Sequence, residues 1–117
     1  MGLRNVTADV ALASAARAAG THVSGPVAAA GAAADVLLTV HCTAVSGTTP
    51  TLDASLEESA DGNSWTAIPG SSITQLTAAG SRTVYAAVTK NYVRVTSTVA
   101  GTTPSVTYRA AVWIRPE

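Results

Sequence analysis

The sequence has no phenylalanine, and its aromatic residues are two Trp and three Tyr among 117 residues. Ala, Thr, Val and Ser dominate instead. Because hydrophobic stabilisation follows buried apolar area at roughly 25 cal/mol per Å², faces rich in Ala contribute little each, and the predicted core of this single domain is thin. The codon usage of a GC-rich genome enriches Ala, Gly and Val and favours Arg over Lys, which accounts for such a core and for one Lys against six Arg. Alternatively, it indicates that a partner surface covers part of the molecule.

Cysteine, net charge and long apolar runs are also scarce. Cys42 is alone, which excludes an internal disulfide and a cysteine-based zinc site. Seven basic and seven acidic residues balance without clustering, so no basic surface is available for nucleic acid or an anionic membrane. No stretch approaches the ~20 apolar residues that span a bilayer, and polar residues interrupt the run where a signal peptide would be apolar. We expect a soluble protein with neither nucleic acid nor membrane as partner and without a recognisable export signal.

Residues suited to catalysis or metal binding form no known pattern. His41 and Cys42 are neighbours in an extended run, where successive side chains point to opposite faces and cannot form a dyad. His22 has no carboxylate or thiol at ligand spacing beside it. Asp53 and Glu57 share one strand face, but four residues of strand separate them by roughly 13 Å, more than paired catalytic carboxylates use. We expect no catalytic residue, metal site or cofactor, and hence a protein that is not an enzyme.

Alternating hydrophobicity favours an all-β fold. Val36, Leu38 and Val40 face one way, and the residues between them face the other way. The same period of two recurs at Cys42, Ala44, Leu52, Ala54, Leu56, Val93, Val95, Val99, Val106, Tyr108, Ala110, Val112 and Ile114. With turn signals about every ten residues, the pattern predicts an antiparallel β-sandwich of immunoglobulin-like or jelly-roll type, with seven to nine short strands and an extended N-terminal segment.

Two segments, Val45–Pro50 and Val99–Pro104, are nearly identical and lie 54 residues apart. Each contains Gly-Thr-Thr-Pro between two strand-like runs, which predicts two matching hairpin turns. The strands entering them alternate with opposite phase, because inward-facing Val93 corresponds to Thr39. This mismatch argues against a simple repeat. A further hairpin is predicted at Asp61–Asn63.

The first twenty residues are ambiguous. Ala8–Ala19 is rich in the best helix former and ends at Gly20, which could serve as a C-cap. Against a helix, the residues from Val6 to Leu12 alternate as in a half-buried strand, so extended structure is favoured. We divide the chain into residues 1–20, an N-terminal arm or first strand, and residues 21–117, the β-sandwich domain.

An outward-facing aromatic residue is predicted on the last strand. Trp113 falls on the face opposite the apolar set, together with Arg109 and Arg115. Trp and Arg are typical anchors of protein interfaces, and a guanidinium could stack on the indole. The alternative is that this face is the inside of the second sheet or is covered by the N-terminal segment. The predicted partner interface consists of Leu3, Arg4, Val6, Val10, Arg109, Trp113 and Arg115.

Five stretches share a pattern of strands and turns: residues 13–17 (Ala-Ser-Ala-Ala-Arg), Leu37–Val45, residues 46–53 (Ser-Gly-Thr-Thr-Pro-Thr-Leu-Asp), residues 58–65 (Glu-Ser-Ala-Asp-Gly-Asn-Ser-Trp) and residues 92–95 (Tyr-Val-Arg-Val). Together they resemble small β-sandwich proteins encoded among the head genes of tailed bacteriophages, and most of all capsid decoration proteins. The resemblance implies synthesis in the host bacterial cytoplasm and a place on the capsid exterior of the virion. It implies the major capsid protein as partner and a homo-oligomer, commonly a trimer. Gly2–Leu12 is then expected to pair with the shell or a neighbouring copy by strand addition.

Other functions fit the same pattern. A tail or head–tail connector subunit is the runner-up among virion proteins. A carbohydrate-binding module is the alternative of another class, although such modules stack sugars on several exposed aromatic side chains and Trp113 is the only clear outward candidate in the sequence. Ser59–Trp65 also resembles the Asp-box hairpin of sialidase-like propellers, but it is one residue shorter and occurs once.

Overall fold

The computed structural model describes residues 7–28 and 34–116, with side chains for residues 12–28 and 35–114. Seven strands form within these ranges: β1 (Thr7–Ala18), β2 (Gly20–Val23), β3 (Val27–Ala28), β4 (Ala34–Ser59), β5 (Thr66–Ala67), β6 (Gly80–Val88) and β7 (Tyr92–Pro116). Every pairing among them is antiparallel. The described residues hold no helix long and apolar enough to cross a membrane. The predicted all-β class is confirmed, and residues 8–18 are extended rather than helical.

Two long strands organise the fold. β4 and β7, of 26 and 25 residues, pair along their whole length, from Ala34 with Pro116 to Ser59 with Tyr92. The half of this ribbon that holds residues 34–46 and 105–116 takes β1 on one edge and β6 on the other, and we call it the front sheet. The other half takes β2 and β3 on one edge and β5 on the other, and we call it the back sheet.

The two sheets pack face to face around one core. Ser97 of the back sheet and Tyr108 of the front sheet are both buried, and their hydroxyl oxygens lie 2.6 Å apart. The buried apolar side chains belong to one cluster, which confirms the predicted apolar positions Val36, Leu38, Val40, Cys42, Leu52, Ala54, Leu56, Val93, Val95, Val99, Val106, Tyr108, Ala110, Val112 and Ile114. The inward prediction for Ala44 is wrong: it is exposed, because the register of β4 shifts between Cys42 and Ala44. The fold is therefore a β-sandwich, made by folding one long ribbon over on itself.

The prediction that the two Gly-Thr-Thr-Pro segments are hairpin turns is wrong. Both lie inside the long strands and face each other, with Thr48 paired to Thr102. Val45 pairs with Val106, and Leu52 pairs with Val99. Val99 lies 54 residues after Val45, and Leu52 lies 54 residues before Val106, so the two pairs are equivalent. The segments therefore meet about a local two-fold axis. Gly and Pro mark a bend inside a strand as readily as a turn between strands, which explains the error.

A bulge accounts for the opposite phase of the two entering strands. Cys42 pairs with Tyr108 and Ala44 with Thr107, so one extra residue of β4 lies between these pairs. An extra residue exchanges the two faces of a strand, and beyond it Val45 packs against the core as its counterpart Val99 does. The two segments are thus equivalent near the axis, and the strands leading to them are not.

The hairpin at Asp61–Asn63 is confirmed, since it joins β4 to β5. The Asp61 carboxylate accepts hydrogen bonds from the backbone N–H groups of Asn63 and Ser64, at 2.8 and 3.1 Å, and from the Ser59 hydroxyl. These donors lower the pKa of Asp61 to about 2, with Asn63 the largest cause. β5 itself is only two residues long.

We expect Gly47→Ala and Gly101→Ala each to lower the free energy of unfolding by at least about 1–3 kcal/mol. Both glycines have positive φ, 100° and 130°, and a Cβ atom would lie 2.7 Å from the Thr103 carbonyl oxygen or 2.8 Å from that of Thr49. Urea denaturation measures the loss. Gly25→Ala is the control, because nothing lies within 4 Å of its added Cβ. Equal stability of all three variants would show that the close approach of Gly47 and Gly101 to the opposite strand does not matter for folding.

We expect part of the stability to fall in acid because of Asp61. Its carboxyl pKa is lower in the folded chain than the ordinary value of 3.8, so the unfolded chain binds more protons around and below that pH. The contribution is complete above about pH 4 and is lost as the pH falls toward 2. Urea midpoints between pH 2 and 6 should show this loss in the native chain and not in Asp61→Asn. The same pH dependence in both would contradict it.

Candidate interaction surface

The outward face of the front sheet, which we call the front face, is the surface that meets solvent on this side of the sandwich. Because strand side chains alternate, the residues between the core positions all point to it. Its described side chains are Asp35, Leu37, Thr39 and His41 from β4, Ser81, Thr83, Tyr85 and Ala87 from β6, and Arg109, Ala111 and Trp113 from β7.

An apolar row crosses the front face. The register places Tyr85 of β6 beside Leu37 of β4, and Leu37 beside Trp113 of β7. Neighbouring strands lie roughly 4.8 Å apart, so the two aromatic side chains are about 10 Å apart with Leu37 between them. Tyr85 is 73% exposed and Trp113 is 45% exposed, and among the described residues only Val23 is another exposed large hydrophobic side chain. Three apolar side chains in a row on a flat sheet form a patch that a partner could cover.

Polar groups border the row. Thr39 pairs with Thr83 in the next row along the strands, and beyond them His41 Nδ1 lies 2.6 Å from the Ser81 hydroxyl. Arg109 is exposed beside His41 and has no hydrogen bond or ion pair to any residue whose side chain the structure describes. The front face therefore has the anatomy of an interface, an apolar centre with a polar rim and an unpaired guanidinium.

The structure places Trp113 on the outside of the sandwich, so its face is not the inside of the second sheet. Arg109 shares its face but lies four residues away along the strand, about 13 Å, so it does not stack on the indole. The backbone of Arg115 pairs with Asp35 and that of Val10 with Ala111, and their side chains lie outside the described part.

The other predicted interface residues, Leu3, Arg4 and Val6, lie outside the described residues. From Thr7 onward the chain is β1, paired with β7, and Leu12 is buried in the core. Removal of Gly2–Leu12 would therefore take half of an edge strand with it. The N-terminal segment is part of the sheet from Thr7, whatever partner it contacts.

Tyr85 was missed by sequence reasoning, and the expectation that Trp113 is the only outward aromatic candidate is wrong. A signal was present: Val84, Ala86 and Val88 alternate as inward positions, which puts Tyr85 on the outside. The row itself was not visible in the sequence, because it depends on the register of three strands. That register is set by contacts distant along the chain.

Two arginines of this protein stack on aromatic rings other than Tyr85 and Trp113. The Arg17 guanidinium carbon lies 4.6 Å from the centre of the Tyr108 ring, and that of Arg94 lies 4.4 Å from the centre of the Trp65 ring. Arg94 also donates to the Glu57 carboxylate at 2.7 Å. These rings are occupied by the chain's own cations, whereas no described cation lies over Tyr85 or Trp113.

The geometry of the candidate catalytic residues supports no reaction. Cys42 is buried while His41 lies on the opposite, exposed face, and burial raises the pKa of the Cys42 thiol, which makes it a poor nucleophile. Glu58 is buried and accepts a hydrogen bond from the Thr89 N–H at 2.9 Å. Within residues 7–28 and 34–116, no three His, Cys, Asp or Glu side chains come together as metal ligands would.

Comparison with known proteins identifies a fold and no family. No family model and no curated protein matches the sequence. Among solved structures, the PBSX exported protein XepA superposes with a TM-score of 0.70 at 16% identity, over 95% of this chain and 37% of XepA. A protein of infectious bursal disease virus strain Gx gives 0.56 at 13% identity, over 96% and 32%. The SPBc2 prophage-derived protein YomS gives 0.53 at 13% identity, over 97% and 96%.

These likenesses establish a shared β-sandwich, and identities of this size establish nothing further. The chain spans about a third of the length of XepA and of the viral protein, whereas it and YomS cover nearly all of each other. The fold is thus one that occurs both alone and as a part of larger chains, and its occurrences include viral and prophage-derived proteins.

We expect replacement of the two exposed aromatics to leave the fold intact. Tyr85→Ser should change the free energy of unfolding by less than about 1 kcal/mol, because Tyr85 is mostly exposed, and Trp113→Ser should cost about 1–2 kcal/mol, because its side chain is half-buried. Leu38→Ala, next to Leu37 but fully buried, should cost about 2–5 kcal/mol. Urea denaturation measures both. A large loss in the serine variants would mean that the row is structural rather than a free surface.

Proposed function

We propose that this protein is a virion structural protein, and specifically a capsid decoration protein that binds the outer surface of an assembled phage head through its front face. The observation that carries the proposal is the row of Tyr85, Leu37 and Trp113, an apolar patch on the outer face of the front sheet with two exposed aromatic side chains. The sandwich shared with XepA and YomS and the resemblance in the sequence support it.

In this proposal the partner is the major capsid protein on the capsid exterior of the virion. The aromatic row packs against an apolar strip of the shell, and Arg109 at the rim pairs with a carboxylate there. An assembled lattice offers this strip in the right geometry at every site. Binding to the assembled form and not to free subunits stabilises the shell by mass action.

The size of the patch argues for binding by linked copies. At roughly 25 cal/mol per Å² of apolar surface, covering the exposed parts of two rings contributes only a few kcal/mol, which does not exceed the roughly 4–15 kcal/mol that association costs in lost translational and rotational freedom. A single copy would bind weakly. Linked copies on a periodic lattice gain avidity, which is the physical reason to keep a homo-oligomer in the proposal.

A carbohydrate-binding module is the second candidate, because Tyr85 joins Trp113 on the same face. Two aromatic side chains about 10 Å apart on a flat sheet could stack on separate sugar rings of one glycan. Isothermal calorimetry with soluble oligosaccharides tests this candidate. Binding that Tyr85→Ser and Trp113→Ser abolish would favour it over the capsid proposal.

Electron microscopy tests the main proposal. Heads of the phage that carries this sequence are emptied, freed of the protein and then mixed with purified copies of it. Native protein should add density that repeats with the lattice, and the Tyr85→Ser/Trp113→Ser double variant should reduce that density at least about tenfold at equal concentration. Val23→Ser is the control, since it removes an exposed apolar side chain of β2, outside the front face.

Undiminished density with the double variant would show that the front face is not the contact. Bare heads with the native protein would refute decoration. Density confined to the tail or to the neck would instead identify a tail or head–tail connector subunit.

A further inference from the structure

The sheet edges differ in how well they are protected against pairing with another strand. β1 has two register shifts, between Val10 and Leu12 and between Leu12 and Ala15. β2 and β3 are short and separated by the segment that holds Pro26. β5 has two residues, and beyond it the loop to β6 hydrogen-bonds β4 instead. Bulges, proline, short strands and covering loops are the usual means of blocking an edge.

Within the described part of the chain, β6 shows none of these protections. It runs for nine residues without proline, and its pairing with β4 is unbroken from Ala34 with Val88 to Cys42 with Gly80. Within residues 7–28 and 34–116, β4 is the only strand that pairs with β6. Arg82 is its one charged residue, and its guanidinium donates to the Ser81 carbonyl at the beginning of the strand. A long, regular and nearly uncharged edge is a template for strand addition.

We propose that β6 pairs with β6 of a second copy of this chain, antiparallel and about a two-fold axis near Val84. Full overlap of the nine-residue strand centres the axis on Val84, which places Thr83 of each copy opposite Tyr85 of the other. Aromatic and β-branched side chains are a favourable cross-strand pair, and the two-fold axis forms this pair twice.

Charge and continuity identify a second copy as the occupant. The outward side chains of β6 are Ser81, Thr83, Tyr85 and Ala87, all uncharged, and the chain has no net charge, so an identical strand meets no like-charge repulsion. Pairing also joins the two front sheets into one of eight strands. The aromatic row of one copy then meets the Thr83 row of the other, with the second Tyr85 as its diagonal neighbour, so the edge contact and the front face form one surface.

The inference stands apart from the proposed function, because it concerns the purified protein alone. A two-fold contact closes on two copies, so it predicts a dimer rather than the trimer that the sequence resemblance implies. One nine-residue strand buries less than a standard interface, so the dimer is expected to form gradually as the concentration rises.

Sedimentation equilibrium over a wide concentration range tests the dimer. The mass should rise from 11.7 kDa toward twice that value. The variants Thr83→Lys/Tyr85→Lys and Thr83→Glu/Tyr85→Glu should each stay monomeric, because like charges then face each other across the axis, and an equimolar mixture of the two should recover the dimer. Thr21→Lys/Thr98→Lys adds the same charge to exposed positions of the back sheet and should dimerise like the native chain.

A native mass of 11.7 kDa up to the solubility limit, or a limiting mass of three copies, would overturn the proposal. So would dimers of the lysine variant as tight as those of the native chain, or a mixture that stays monomeric. Hydrogen exchange on the native chain provides a readout without substitutions: β6 amides that point away from β4 should gain protection as concentration rises. Unchanged exchange over the range in which the mass doubles would place the contact elsewhere.

Discussion

The close approach of Gly47 and Gly101 to the opposite backbone is the contact on which the rest of the sandwich depends. A ribbon of two paired strands can bury its apolar side only if it bends sharply enough to fold on itself, and both strands must bend at the same level. Two glycines with positive φ, each against a backbone carbonyl of the other strand, allow that bend. Thr49 and Thr103 follow with φ of 48° and 44°, an unfavourable conformation that burial of both sheets offsets.

Much of the core could be predicted from the sequence because the period of two is a local property. The inward positions of β4 and β7, Val36 and Val112 among them, follow from alternation alone. The lengths of these strands did not follow, since Gly-Thr-Thr-Pro reads the same at a hairpin and at a bend. What separates the two cases is the partner of Thr48, which is Thr102, and such a pairing between distant residues leaves no local trace.

The candidate surface, like the core, could be predicted from the sequence only in part. Alternation put Trp113 opposite the core side chains, but whether that face met solvent or a second sheet depended on how the ribbon folds. The bulge before Ala44 and the bend at Gly47 decide it, since they turn the back sheet toward the other face. Tyr85 joins the row only through the register of β6 on β4, so the row is a property of the assembled sheet rather than of any one segment.

The positions of the described arginines distinguish the exposed row from two other aromatic rings of the chain. Tyr108 and Trp65 each lie under a guanidinium of the same chain, and Arg94 is held over its ring by Glu57. Two of the five aromatic rings are thus covered by cations of the same chain. On the front face the one described arginine, Arg109, lies two rows from Trp113 and reaches neither ring. Among the described side chains no cation lies over Tyr85 or Trp113, and two exposed aromatic side chains flanking Leu37 on paired strands form the kind of patch that is typical of a contact surface.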